Sequence, residues 1–150
     1  MPYSIGQYRF DLEAFFPGSI KDEITEIRVD NPEILMTEAK ARKRRQKLTQ
    51  DGKLTILAAD HPGRRVTGSG LDPLVMGDRN QYLGRVLRVL TAGEVDGIMG
   101  TTDIIGELFI VNYLVKRNGG PDFLNEKVIV GSMNRGGLAG AAWELDDRFT

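Results

Sequence analysis

The chain has 150 residues, with 20 lysines and arginines set against 21 aspartates and glutamates, for a formal net charge of −1. That balance, with 41% hydrophobic residues, describes a globular protein able to bury a core and argues against a nucleic-acid partner or a disordered chain. The absence of cysteine excludes disulfides, thiolate nucleophiles and cysteine-based zinc sites, so any metal site would need oxygen ligands.

No basic segment followed by an apolar stretch stands near Met1, so a secretory signal is not expected. The longest apolar run, around Leu108 to Val115, is interrupted by Asn112 and is far shorter than the roughly 20 residues of a membrane span. A cytoplasmic protein with no membrane partner is the expectation.

Residues 1–52 are charged and helix-patterned, with Ile24, Ile27, Ile34 and Leu35 as apolar positions, and Asn31 before Pro32 marks a helix start. They read as an N-terminal helical extension. Its basic run, Arg42, Lys43, Arg44, Arg45 and Lys47, is read as a solvated helix face rather than a nucleic-acid contact, because Glu33 and Glu38 lie nearby.

From residue 53 to 150 the pattern changes to short apolar runs, Leu54 to Ala59, Val95 to Met99 and Val128 to Met133, separated by amphipathic segments. Asp78 caps a helix carrying Tyr82, Leu83, Val86, Leu87 and Leu90 that ends near Gly93. Thr102 or Asp103 caps a second helix, carrying Ile104, Ile105, Leu108, Phe109 and Leu114, that ends near Asn118 and Gly119. Strand, helix, strand, helix, strand makes an α/β protein with a parallel sheet, and the repeat suits either a (β/α)8 barrel or a doubly wound sheet.

The first strand ends in Asp60-His61-Pro62-Gly63, a carboxylate and an imidazole at the carboxyl end of a buried strand, where α/β enzymes place their chemistry. Alternation puts Leu54, Ile56, Ala58 and Asp60 on one face and Thr55, Leu57, Ala59 and His61 on the other. The plain alternatives are an ion-pairing or turn-capping role for Asp60 and a packing role for His61. Arg64 and Arg65 follow, able to attract phosphate or simply to stand in solvent. After the third strand, Asn134 and Arg135 face a polar or anionic substrate, or Arg135 pairs with Glu144, Asp146 or Asp147. The nearby Gly131, Gly136, Gly137 and Gly140 do not spell a G-x-G-x-x-G dinucleotide loop. Asp60, Asp96 and Asp103 do not make a magnesium site, since Asp96 starts the second strand and faces away from its mouth.

Three segments, Ala58-Ala59-Asp60-His61-Pro62-Gly63, Asp96-Gly97-Ile98-Met99-Gly100-Thr101-Thr102-Asp103 and Val128-Ile129-Val130-Gly131-Ser132-Met133-Asn134-Arg135-Gly136-Gly137, together resemble class I aldolase-like (β/α)8-barrel proteins. The nearest kin are barrels similar to the archaeal-type fructose-bisphosphate and deoxyribose-phosphate aldolases, some linked to inositol breakdown. The resemblance implies a partial TIM barrel of about three βα units after the N-terminal helical segment. It implies an aldolase-like lyase: reversible carbon–carbon cleavage of a phosphorylated keto sugar through a Schiff base, without a cofactor. Asp60 would then be the catalytic acid and base, with His61 beside it and Arg64, Asn134 and Arg135 binding substrate. Lys53 and Lys127 precede their strands, and Lys21, Lys40, Lys43, Lys47 and Lys116 fall on helix-like segments, so none stands where a Schiff-base amine must. The expectation is an incomplete barrel, inactive alone, whose bare strand edges favour a homo-oligomer or a completing chain. A noncatalytic assembly partner and a nucleotide-binding doubly wound domain are the alternatives.

Overall fold

The computed structural model describes residues 10–92 and 95–132. Strand β1 (Ile56–Ala59) pairs in parallel with β2 (Gly97–Gly100), and β2 pairs in parallel with β3 (Val128–Gly131), giving the order β1-β2-β3. The strands sit in one register, so Leu57, Ile98 and Ile129 form one row and Ala58, Met99 and Val130 the next. The first row, with Ala59, belongs to the main core. The second row lies on the opposite face, where Ala58 and Val130 are exposed. An apolar sheet face of this kind is normally covered in parallel sheets; among the described residues it is not.

Helices α4 (Arg79–Thr91) and α5 (Thr102–Arg117) are the two crossovers, and both pack on the first face. The Asp78 carboxylate accepts the Gln81 N–H at 2.8 Å and starts α4, whose Tyr82, Leu83, Val86, Leu87 and Leu90 are all buried, as their helical spacing predicts. Helix α5 buries Ile104, Leu108, Phe109 and Leu114 and closes at Gly119, whose φ of +79° suits glycine. Its N-cap is Thr101, so Thr102 and Asp103 occupy the first turn rather than the cap. The first strand begins at Ile56, leaving Leu54 exposed outside the sheet.

The N-terminal segment supplies α1 (Leu12–Phe15), α2 (Ser19–Asp30) and α3 (Glu33–Ala41). Leu12, Phe16, Ile24 and Ile27 are buried in the same core as the βα units, and α2 and α3 pack against α5. A buried polar joint fixes α3 on α5: Glu38 accepts from Asn112 Nδ2 at 3.0 Å and from Lys116 Nζ at 2.9 Å.

The basic run is not a helix face, because α3 stops at Ala41 and Arg42 turns to an extended conformation. Arg42 donates to the Lys127 carbonyl, and Arg45 donates to the Glu126 carbonyl at 2.6 Å and to Asp96 at 3.0 Å. Lys43 pairs with Glu126 at 2.6 Å. These side chains clamp the loop after α3 across the amino ends of β2 and β3. Asp96 anchors the clamp, its other oxygen accepting the Thr55 N–H at 2.8 Å, which places it at the amino end of the sheet as expected. Contacts with the Thr55 N–H and with Arg45 hold its carboxyl below the usual range.

Candidate active site

At the carboxyl end of β1 the chain leaves the sheet directly after Ala59 and enters a 3-10 turn, Pro62–Arg64. Alternation therefore does not carry past Ala59, and Asp60 and His61 are oriented by the turn rather than by the pleat. His61 adopts helical backbone angles, and its carbonyl accepts from Arg64 N and Val66 N. The turn ends at Arg65 in the left-handed region, φ 61°.

Asp60 is 4% exposed. Its Oδ2 accepts from Arg64 Nε at 2.7 Å, a charge-assisted contact between a buried carboxylate and a partly exposed guanidinium. Arg64 is thus a partner of Asp60 rather than a solvated loop residue. Beneath them lies Tyr82, 6% exposed, whose hydroxyl is buried and finds no hydrogen-bond partner among the described residues. Burial, reinforced by the Asp60 charge, pushes its pKa up to about 12. His61 and Tyr82 line a cavity of about 410 Å³ with Leu57, Ser69, Met76 and Val86.

The neighbouring strand ends carry a second charged group. Arg79, opening α4, donates to Glu107 at 2.7 Å and pairs with Asp103 at 2.9 Å, tying the first turns of α4 and α5 together. Burial pushes the Asp103 carboxyl up, but Thr101 and Arg79 outweigh it and leave it lowered. Asp103 is therefore held by an arginine at the helix start. Among the described residues no three histidine, aspartate or glutamate side chains cluster to hold a metal. After β3, Ser132 N donates to the Gly100 carbonyl at 2.8 Å. Asn134, Arg135 and the glycines from Gly136 onward lie outside the described residues.

Sequence reading missed the Tyr82 hydroxyl and the ion pair of Arg79 with Asp103. Tyr82 was counted as an apolar helix position, although a tyrosine among leucines and valines also brings a hydroxyl that must be accommodated. Arg79 and Asp103 were each visible as the charged first turn of a crossover helix, but their pairing is a long-range fact.

A parallel α/β sheet with a sequestered carboxylate at the mouth of its first strand defines the class. Residues 52–150 match the Cgl0159-like family, and the chain belongs to it. The crystal structure of Cgl0159 from Corynebacterium glutamicum (Brevibacterium flavum) is similar, with 38% identity and a TM-score of 0.71, over 89% of this chain and 42% of that one. The chain thus spans less than half the length of that solved relative. No curated protein matches it significantly.

Proposed function

We propose that the chain supplies the opening three βα units of a (β/α)8 barrel with aldolase-like lyase activity, cleaving a phosphorylated keto sugar through a Schiff base. The observation that carries this reading is Asp60: a carboxylate 4% exposed, at the carboxyl end of the apolar strand β1, held by the partly exposed Arg64. A carboxylate so placed can pass protons to and from a carbinolamine. Arg64 is suited to meet a substrate phosphate and, in turning to it, to release Asp60 for proton transfer.

The one-way strand order and the placement of both crossovers on a single face support the barrel, whose interior the uncovered row Ala58, Met99 and Val130 would line. No lysine of the described residues is placed to supply the amine at the carboxyl ends of the strands. Lys53 stands before β1, and Lys127, before β3, donates to the Val95 carbonyl at 2.6 Å at the far end of the sheet. An assembly role without chemistry is the second reading, favoured by the same uncovered face.

Fructose 1,6-bisphosphate with borohydride tests the proposal. The chain alone should gain no adduct by mass spectrometry, and the chain fused to the remaining part of Cgl0159 should gain one. A lysine adduct on this chain, or none in a folded fusion, overturns it.

A further inference from the structure

Helix α2 carries Lys21, Ile24, Thr25 and Arg28 at the spacing of a single helical stripe. That stripe borders a cavity of about 120 Å³, bounded elsewhere by Phe16 after α1, by Arg79, Asn80 and Leu83 of α4 and by Glu107 of α5. It shares no lining residue with the cavity beside His61.

The two sides of this cavity differ in chemistry. Its inner wall is Phe16, Ile24 and Leu83, at 3%, 4% and 2% exposure, members of the main core that nevertheless leave space between them. Interiors are packed almost without voids of this size, and an empty one forfeits contacts that an apolar occupant restores. The outer edge is cationic. Lys21 is exposed, and its ammonium has no ion pair or hydrogen bond among the described residues. Arg28, its side chain 41% exposed, reaches Glu107 at 3.6 Å and the Asp103 carbonyl at 3.5 Å, so it is held loosely. Glu107, the one carboxylate on the wall, is already taken by Arg79 at 2.7 Å. Three cations thus line the cavity with one carboxylate, and the two on α2 are the least neutralised.

We propose that this cavity binds a short aliphatic carboxylate, its alkyl end against Phe16, Ile24 and Leu83 and its charge between Lys21 and Arg28. Volume sets the length: a cavity of about 150 Å³ holds benzene, so about 120 Å³ takes roughly six non-hydrogen atoms, the size of butyrate. An amine of the same shape is disfavoured because it meets cations at the entrance. Inorganic phosphate suits the cations but not the wall, where it would shed water without gaining hydrogen bonds. The proposal depends neither on the barrel nor on the chemistry assigned to Asp60.

Butyrate titrated into the isotopically labelled chain, with amide resonances followed by NMR, tests it. Saturable shifts are expected in α2 and the first turn of α4, with a Kd of about 1 mM, the strength so few atoms supply. Acetate, shorter by two methylenes, should bind about tenfold more weakly. Butylamine and inorganic phosphate should give no saturable shift there. Lys21→Gln should weaken butyrate about tenfold and Lys21→Arg should restore it, and neither change disturbs a partner of Lys21 in the fold. Absence of a saturable shift on α2 with butyrate overturns the proposal, as does unchanged affinity in Lys21→Gln. Acetate or phosphate binding as tightly as butyrate overturns it too, since the cavity would then hold an adventitious ion only. The comparison among these small molecules uses the unaltered chain, so it decides the matter whether or not a variant folds.

Discussion

Arg64 Nε lies 2.7 Å from Asp60 Oδ2, four residues back along the chain, across a 3-10 turn rather than along an α-helix. The carboxylate is 5% exposed and the guanidinium 37%, so removing the arginine strands a buried charge while removing both does not. Arg64→Ala should destabilise the fold by about 1–2 kcal/mol, less than for a fully buried pair because water already reaches the guanidinium. Adding Asp60→Asn should recover part of that loss in urea unfolding. Strictly additive effects would show that the two side chains are not coupled.

Tyr82 keeps a buried hydroxyl without a partner among the described residues. Tyr82→Phe should therefore leave stability unchanged or raise it by up to about 1 kcal/mol, the sign expected when an unsatisfied buried group is deleted. Its folded pKa, near 12, lies above the ordinary 10.0, so its contribution is complete below pH 10 and fades as pH climbs toward 12. Spectrophotometric titration should show one tyrosine ionising late, and Tyr82→Phe should delete that step. A late step that persists in the variant belongs to another tyrosine.

Asp96 predicts acid sensitivity at the opposite end of the sheet. Its carboxyl is lowered by the Thr55 N–H and by Arg45, and that of Glu126 is lowered by Lys43. For carboxylates depressed in the folded state, the stabilisation is present above the unfolded value and drains away as pH falls through the folded one. Urea midpoints should accordingly drop below about pH 4. Asp96→Asn should narrow the gap between pH 7 and pH 3; an undiminished gap would remove the clamp from the account.

At Gly97 in β2, an added Cβ would strike the Val128 carbonyl oxygen of β3. Since the obstacle is backbone, Gly97→Ala should cost about 3 kcal/mol or more. A variant with an unchanged midpoint would mean that the β2–β3 register is not as described.

The helices were legible because their buried positions recur at helical spacing: Tyr82, Leu83, Val86, Leu87 and Leu90 could be read from the chain and are the buried face of α4. Strand ends were legible from the abrupt polar residues after Ala59 and Gly100. The clamp was not. Arg42 and Arg45 look like a helix face locally, and their partners Asp96, Glu126 and Lys127 are more than fifty residues away, where no periodicity can reach. Asp60 was identified as a candidate from its place on the strand, yet its burial and its grip by Arg64 follow from the 3-10 turn, which strand alternation cannot describe.

The central claim is that Asp60 moves protons for Schiff-base chemistry at the barrel mouth. Its most direct test is the rate of borohydride-trappable adduct formation with fructose 1,6-bisphosphate in the fusion with the remaining part of Cgl0159. Asp60→Asn should slow that rate about 100-fold or more while substrate still binds, the loss expected for a positioned acid–base group. An Asp60→Asn protein that forms its adduct at the native rate would contradict the account.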